Sequence, residues 1–391
     1  MNTGKYVFAQ IAFFLNFNEF NKCIEKYNGN YKVKEYTCWH QLLCLMFGQI
    51  SNRESLSDLV LCLQTQKNKW YHLGIGNCIS KSNLAHANEK RDWRIFADFA
   101  YFMIADARKN ILPNEAFADF EFNAIYGVDT TTTDLCLEIF WWAKFRKHKG
   151  AIKLHTVLDL KTEIPCYVNI TDGKVHEVNV LDLITFEPKG FYIMDRGFVD
   201  YLRLFTINTQ AAYFVTRAKT NMKCKRIYSA KVDKTTGILY DQTIKLVNYY
   251  AAKEYPDKLR RVKYYDKESN KQFIFLTNNF EITPLQIAML YKHRWKIELF
   301  FKWIKQHLKI KSFWGHSENA VRVQVYVAII TFVTIALLKQ KLKTALTQYQ
   351  ILQILSITLI TKTPLKQLFE DALIQYVKET SHNQLKMLLL Y

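Results

Sequence analysis

From Pro284 to Ile310 the chain reads PLQIAMLYKHRWKIELFFKWIKQHLKI. At roughly 100° per residue, Leu290, Ile297, Phe301, Ile304 and Leu308 form an apolar stripe. Tyr291, Arg294, Glu298, Lys302 and Lys305 form a polar stripe beside it. The stretch is predicted as one helix, held against a core and presenting a single acid among cations. Further upstream, Tyr6 to Ile111 is also helical in pattern. Phe8, Ile11, Ala12 and Leu15 share a face, Trp39 to Phe47 is a second amphipathic run, and Leu56, Leu59, Val60 and Leu63 recur at helical spacing. After Gly74 and Gly76, Ser82 is placed as the cap of a helix carrying Asn83, His86, Asn88, Lys90 and Arg91. That arrangement suits either a helix-turn-helix reader of DNA or a helical bundle that only docks on the rest of the chain.

Past Asn114 the period changes to that of strands. Ile125 to Val128, Ala151 to Leu160 and Pro165 to Gly173 read as a three-stranded antiparallel meander, with Asp172 and Gly173 as a turn. Next come a helix around Asn179 to Leu183, a strand at Phe191 to Met194 and a strand at Ala212 to Thr216. This is the connectivity of the RNase H-like fold. In such a layout Asp129 and Asp195 end neighbouring central strands, and Glu298 arrives on a helix packed across the sheet. Carboxylates from three separate elements can then hold two Mg²⁺ ions, which prefer oxygen ligands and can activate a nucleophile while steadying the leaving oxygen of a phosphodiester. Asp134 and Asp159 compete for the first position. Glu177 and Asp182 read as surface residues, and Glu298 alone could be a helical partner of Arg294 or Lys302.

Composition narrows the class. The 391 residues are 49% apolar, enough for a sizeable core, and 54 Lys and Arg against 35 Asp and Glu leave a net charge of +19. An excess of that size points to a polyanionic partner, nucleic acid before membrane. The 8 cysteines include no CxxC pair and read as thiols in a reducing compartment. No signal peptide is visible at the N-terminus, and Val323 to Leu338 reads as a core helix rather than a membrane span.

The signature Tyr, two residues, Arg, three residues, Glu, six residues, Lys is met in full by Tyr291, Arg294, Glu298 and Lys305. With IMDRGF around Asp195, VDTTTTDL around Asp129, YFVTR and SNLAHANEKRDWRIF, the chain resembles the DDE transposases of bacterial insertion sequences, specifically the insertion-sequence-four family. The resemblance runs over nearly its whole length. It assigns Asp129 over Asp134 and implies that Asp129, Asp195 and Glu298 hold Mg²⁺, for which Mn²⁺ can substitute. It implies further that Arg294, Lys305 and Tyr291 contact phosphates near the scissile bond, with Lys302 and Arg196 also touching DNA.

The expected organisation is α/β. A helical, DNA-binding N-terminal domain spans 1–112, and an RNase H-like core occupies 113–222 and 276–315. A β-rich insertion, 223–275, interrupts the core, and a helical region, 316–391, completes the chain. The insertion offers Lys223, Lys225, Arg226, Lys231, Arg260, Arg261 and Lys263 to the DNA backbone. The resemblance implies an insertion aromatic that stacks on a flipped base beside a hairpin end; this insertion has no tryptophan, so either Tyr264 or Tyr265 serves or the hairpin route does not apply. The tail is implied to pack on the core and to help two subunits pair. The expected activity is binding of terminal inverted repeats, cleavage at the element's ends and transfer of the 3′ ends to target DNA. The expected setting is a homodimer synapsed on DNA, in the bacterial cytoplasm at the nucleoid, without a membrane. The alternatives are a metal-dependent nuclease of the same fold without strand transfer and a catalytically inactive, element-derived DNA-binding protein.

Overall fold

The computed structural model describes residues 4–374 apart from 78, 123, 147–148, 309 and 311. The chain divides into two compact units, Met1–Leu112 with Lys302–Tyr391, and Pro113–Phe301.

The first unit opens with α1 (Val7–Ala12), α2 (Phe17–Lys26), α3 (Cys38–Ile50), α4 (Leu56–Gln64), α5 (Trp70–Leu73), α6 (Lys81–Lys90) and α7 (Arg94–Asn110). α3 begins at a capping box in which Thr37 and His40 satisfy each other's backbone N–H groups. It is buried nearly all round, which makes it a core helix and not the amphipathic one expected. α6 is capped by Ser80, whose side chain accepts from the Asn83 N–H, two residues before the expected Ser82. Two of its candidate DNA-reading groups face inward. Asn88 is buried and accepts from Gln41 Nε2 at 2.8 Å, while Arg91 donates to Gln41 Oε1 at 3.1 Å and to the Tyr36 carbonyl. Asn83, His86 and Lys90 are on the exposed side.

The second unit is built on one sheet of ten strands. They are β1 (Ile125–Leu135), β2 (Lys144–Arg146), β3 (Lys149–Asp159), β4 (Ile164–Asp172), β5 (Phe191–Met194), β6 (Tyr213–Arg217), β7 (Cys224–Ala230), β8 (Ile238–Leu246), β9 (Leu259–Asp266) and β10 (Lys271–Thr277). The order runs β4-β3-β1-β5-β6-β10-β9-β8-β7, with β2 pairing the start of β3. β4, β3 and β1 are the antiparallel meander read from the sequence, and β5 and β6 add to it in parallel. The strands expected as an insertion extend this same sheet through the antiparallel pair β10 and β6. The helix expected near Asn179 is a 3₁₀ helix, Glu177–Leu183. α8 (Tyr201–Thr209) and α9 (Tyr249–Glu254) belong to this unit, and α10 (Pro284–Lys292) and α11 (Trp295–His307) come after β10.

Side chains alternate across the sheet. Tyr126, Val128, Tyr192, Met194 and Phe214 share one core with Leu204 of α8 and Tyr255, just past α9. Gly127, Asp129, Ile193 and Asp195 therefore point to the other face, over which α11 lies. A Cβ at Gly127 would stand 3.2 Å from Leu160 Cδ2 and 3.6 Å from Ile297 Cβ, so the missing side chain lets α11 approach β1 closely.

The single helix expected from Pro284 to Ile310 is two. α10 starts at a capping box of Thr283 and Gln286 with a proline in its first turn. At the junction with α11 the N–H groups of His293, Arg294, Lys296 and Ile297 bond to the carbonyls of Leu290, Tyr291, His293 and Arg294. This is the tighter 3₁₀ pattern, and it separates the two helices without glycine or proline.

Beyond α11 come α12 (Glu318–Leu342), capped by Ser317, and α13 (Gln348–Thr358). α12 packs along α7 and α3, and Trp93 stacks on Tyr326 with ring centroids 5.6 Å apart. It is longer than the run Val323 to Leu338 and is long and apolar enough to cross a membrane, but it is almost wholly buried within the protein, as a core helix is. Most of Leu352 to Ile360 is helical, as part of α13. Residues 365–374 are helical. Residues 375–391 of the helical region expected over 316–391 lie outside the described residues.

Candidate active site

Register brings the two aspartates together. The parallel pairing of β1 with β5 ends at Val128 opposite Met194, and the next residue on each strand is Asp129 or Asp195. β1 itself does not end there, as the sequence pattern suggested, but continues to Leu135 against β3. Two carboxylates are thus set side by side on the face that α11 covers. Glu298 stands in the first turn of α11, where the helix dipole favours an anion.

Arg294, at the junction of α10 and α11, links them. Its Nη1 donates to Asp129 Oδ2 at 3.2 Å and its Nη2 to Glu298 Oε1 at 2.5 Å. The Arg294 side chain is only 17% exposed, and its Nε–H is buried without a partner among the described residues. Tyr291, in the last turn of α10, packs on Phe275 and donates its hydroxyl to Asp195 Oδ1 at 3.3 Å. Asp129 Oδ1 accepts from the Thr130 N–H at 2.8 Å. Burial pushes the Asp129 carboxyl up to about 6; Glu298 and Asp195 add to this, and Thr130 and Arg294 oppose it. Burial also raises the Tyr291 phenol, keeping it a hydrogen-bond donor.

The other expected site residues fall around this centre or along α11. Arg196 is exposed directly after Asp195. Lys302 and Lys305 stand one and two turns beyond Glu298 on α11, and Lys302 is exposed. The rival acids are engaged elsewhere. Asp134 pairs with Lys149 at 2.9 Å and Asp182 with Arg203 at 2.6 Å, Glu177 lies 3.9 Å from Lys153, and Asp159 accepts from the Lys161 N–H at 2.9 Å.

Two groups near the centre escaped the sequence reading. His155 is buried between the hydroxyls of Thr130 and Thr171, at 2.8 Å from each. Burial, aided by Lys153, lowers it to about 4, so it is neutral near pH 7. Its neighbour Thr156 is 1% exposed, pairs directly with Asp129 and has a hydroxyl without a partner among the described residues. The signal for both was two polar residues inside AIKLHTVLDL, a stretch otherwise apolar enough to be a buried strand.

The basic surface expected between β7 and β9 is corrected in part. Arg260 is buried in an ion pair with Asp241, and half-buried Arg261 donates to Gln242 Oε1 at 2.6 Å, so both are engaged within the protein. Lys223, Lys225, Arg226 and Lys231 are exposed. Tyr264 is buried and Tyr265 donates its hydroxyl to Asn270, whereas Tyr228, Tyr249 and Tyr250 are the exposed rings of this region.

Residues 125–333 match the transposase DDE domain family, and residues 3–76 match a domain of unknown function, DUF4372. The chain belongs to the transposase DDE domain family. It is 33% identical over 253 residues to y4zB of Sinorhizobium fredii, named as a transposase, across 64% of this chain and 68% of that one. It is 27% identical over 218 residues to a Geobacillus stearothermophilus protein named as the transposase of the insertion sequence element IS5377, across 55% and 57% of the two chains. It is 26% identical over 276 residues to a Synechocystis protein named as the transposase of IS4SA, across 67% and 73%. Membership implies an enzyme of the nuclease and transferase kind that acts on DNA.

DDE transposases generally use divalent metal ions. Among the described residues no three His, Cys, Asp or Glu side chains are gathered closely enough to hold one as they stand. A guanidinium lies between Asp129 and Glu298 instead, a cation standing in among hard oxygen donors. Carboxylate oxygens of this kind are the ligands that hard divalent ions prefer.

Proposed function

We propose that the chain is the transposase of an insertion sequence of the insertion-sequence-four family. In this reading it binds the terminal inverted repeats of its own element, cuts phosphodiester bonds at the ends and joins the released 3′ ends to target DNA. The reading rests above all on one observation: Asp129 and Asp195 occupy matching positions at the end of the β1 and β5 pairing, and Arg294 ties Asp129 to Glu298. The strand order β4-β3-β1-β5-β6, antiparallel and then parallel, supports an RNase H-like core. The relative named for IS4SA is consistent with the family.

Asp129, Asp195 and Glu298 would hold Mg²⁺, with Mn²⁺ as a substitute. When bound, such ions activate the attacking oxygen and stabilise the leaving one. In cleavage a water oxygen bonds to phosphorus as the bond to O3′ breaks, leaving a 3′-hydroxyl. In joining, that hydroxyl attacks a target phosphodiester and a target 3′ oxygen leaves. Arg294 exchanges its carboxylate partners for phosphate oxygens, which its planar fork suits, and Lys305 adds a point charge. Tyr291 turns its hydroxyl from Asp195 to a phosphate next to the cut, while Lys302 and Arg196 hold the flanking backbone. Residues 1–112 contribute to DNA binding, and two copies pair on the synapsed ends in the bacterial cytoplasm.

The test is cleavage and strand transfer on DNA carrying the element's ends, with Mg²⁺ or Mn²⁺ and a parallel binding assay. Wild type should give cut and joined products, and Asp129→Asn, Asp195→Asn and Glu298→Gln should bind DNA without making either. Cut products without joined ones would turn the reading to a nuclease, and products persisting in all three variants would sink the site.

A further inference from the structure

Thr156 lies at the centre of β3 on the face that carries Asp129. Its nearest neighbours on that face are set by strand geometry: Leu154 and Leu158 along its own strand, Val168 across to β4 and Asp129 across to β1. Three are apolar and buried. Asp129 is the one with a polar side chain, and the two residues are direct register partners. The Thr156 hydroxyl is nonetheless without a partner among the described residues, while Asp129 accepts from the Thr130 N–H and from Arg294. A buried hydroxyl left unmatched among aliphatic side chains is unfavourable, and valine would fill the same space without that cost.

We infer that Thr156 is a positioning residue for Asp129. When Arg294 leaves the carboxylate, the Thr156 hydroxyl donates to the Asp129 oxygen that the guanidinium has released, and with the Thr130 N–H it fixes the plane of the carboxylate toward a bound divalent ion. This rests on the reading of Asp129 as an ion-holding residue. A donor placed behind a metal ligand orients it without touching the metal, and its loss typically weakens metal affinity by ~10-fold to 100-fold.

The test is titration of Mn²⁺ into the full-length chain, with free ion followed by electron paramagnetic resonance and thermal melting recorded without metal. Thr156→Val, nearly isosteric, should lower Mn²⁺ affinity by roughly tenfold while melting no lower than wild type. Thr156→Ser, which keeps the hydroxyl, should bind within about twofold of wild type, and Asp129→Asn should lose the same binding. If Thr156→Val fails to fold, Thr156→Ala takes its place with the same expectation. Unchanged affinity in the Val or Ala variant, with Asp129→Asn still defective, overturns the role of Thr156 alone. Saturable Mn²⁺ binding that survives Asp129→Asn, or none by wild type, overturns it together with the ion-holding reading.

Discussion

Two arginines of the sheet unit, Arg260 buried and Arg294 half-buried, have opposite surroundings. Arg260, on β9, makes a two-pronged ion pair with Asp241 on β8, its Nε at 2.9 Å and its Nη2 at 2.7 Å from the two carboxylate oxygens. Its Nη1 donates to the carbonyls of Asn279 and Ile282, in the loop that leads into α10. Every nitrogen is engaged, and both side chains of the pair are about a tenth exposed or less. Arg294 is divided between carboxylates on β1 and α11, one of them 33% exposed, and its Nε has no partner among the described residues. The first arrangement is closed and fixes one loop. The second is open, and in the proposed reading a phosphate takes the place of the carboxylates and a metal ion that of the guanidinium.

The sharpest break of this comparison is to truncate each arginine. Arg260→Ala leaves Asp241 charged and buried with no counter-ion, and should cost about 3 to 5 kcal/mol in denaturant unfolding. Arg294→Ala should cost less than about 2 kcal/mol, because Glu298 reaches water and Asp129 can take up a proton. The same variant should abolish cleavage even though it folds. Equal losses of stability would mean that Arg294 is structural, and the comparison would fail.

The sequence alone could not have separated these two residues. Arg260 sits in LRRVKYY, a run that reads as a basic strand face, and its burial depends on β8 lying beside β9 in a register that sets Gln242 opposite Arg261 and Asp241 opposite Val262. No local pattern carries that information. The strand Phe191 to Met194 was legible residue for residue, because a strand buried on both faces reads as an unbroken apolar run. The junction at His293 was hidden for the opposite reason. Nothing in YKHRW breaks a helix, so a continuous stripe was the natural reading, and only the backbone bonds reveal the tightened turn. Thr156 was hidden too: threonine suits any strand, and its interest lies in what surrounds it.

The next comparison is between the two faces of β1. Burial raises Asp129 from 3.8 to about 6 on one face and lowers His155 from 6.5 to about 4 beneath the other. For Asp129 the folded chain keeps a proton that the unfolded chain has lost, so stability falls as pH rises from about 4 to 6, by roughly 3 kcal/mol in full. For His155 the unfolded chain holds the extra proton, so stability falls as pH drops from about 6.5 to 4, by a similar amount. In wild type the two slopes oppose each other. Asp129→Asn should leave a chain that loses stability on acidification across that window, and His155→Gln, able to bridge both threonines, should leave one that gains it. Melting midpoints recorded from pH 4 to 7 without divalent ions check both. Parallel curves for the three proteins would remove the assigned protonation states.

The smallest effect separates the exposed cations of β7 from the engaged ones of β9. β7 ends the strand order, and Lys225 and Arg226 stand exposed on it. Charges on an edge strand have a ready structural use, since they deter pairing with another sheet. They also add to a net charge of +19 on a protein that acts on DNA. Salt distinguishes the two uses. A cation that neutralises a phosphate releases counter-ions, so Lys225→Ala and Arg226→Ala should each reduce the slope of log affinity against log salt by about 1. Arg261→Ala should leave that slope unchanged, because its guanidinium already serves Gln242 and lies over the Tyr240 ring. If the double variant keeps the wild-type slope and instead aggregates, β7 guards the edge of the sheet and does not carry DNA. The DNA path would then run along Lys302 and Lys305 of α11, where the same salt titration on Lys302→Ala would find the missing charge.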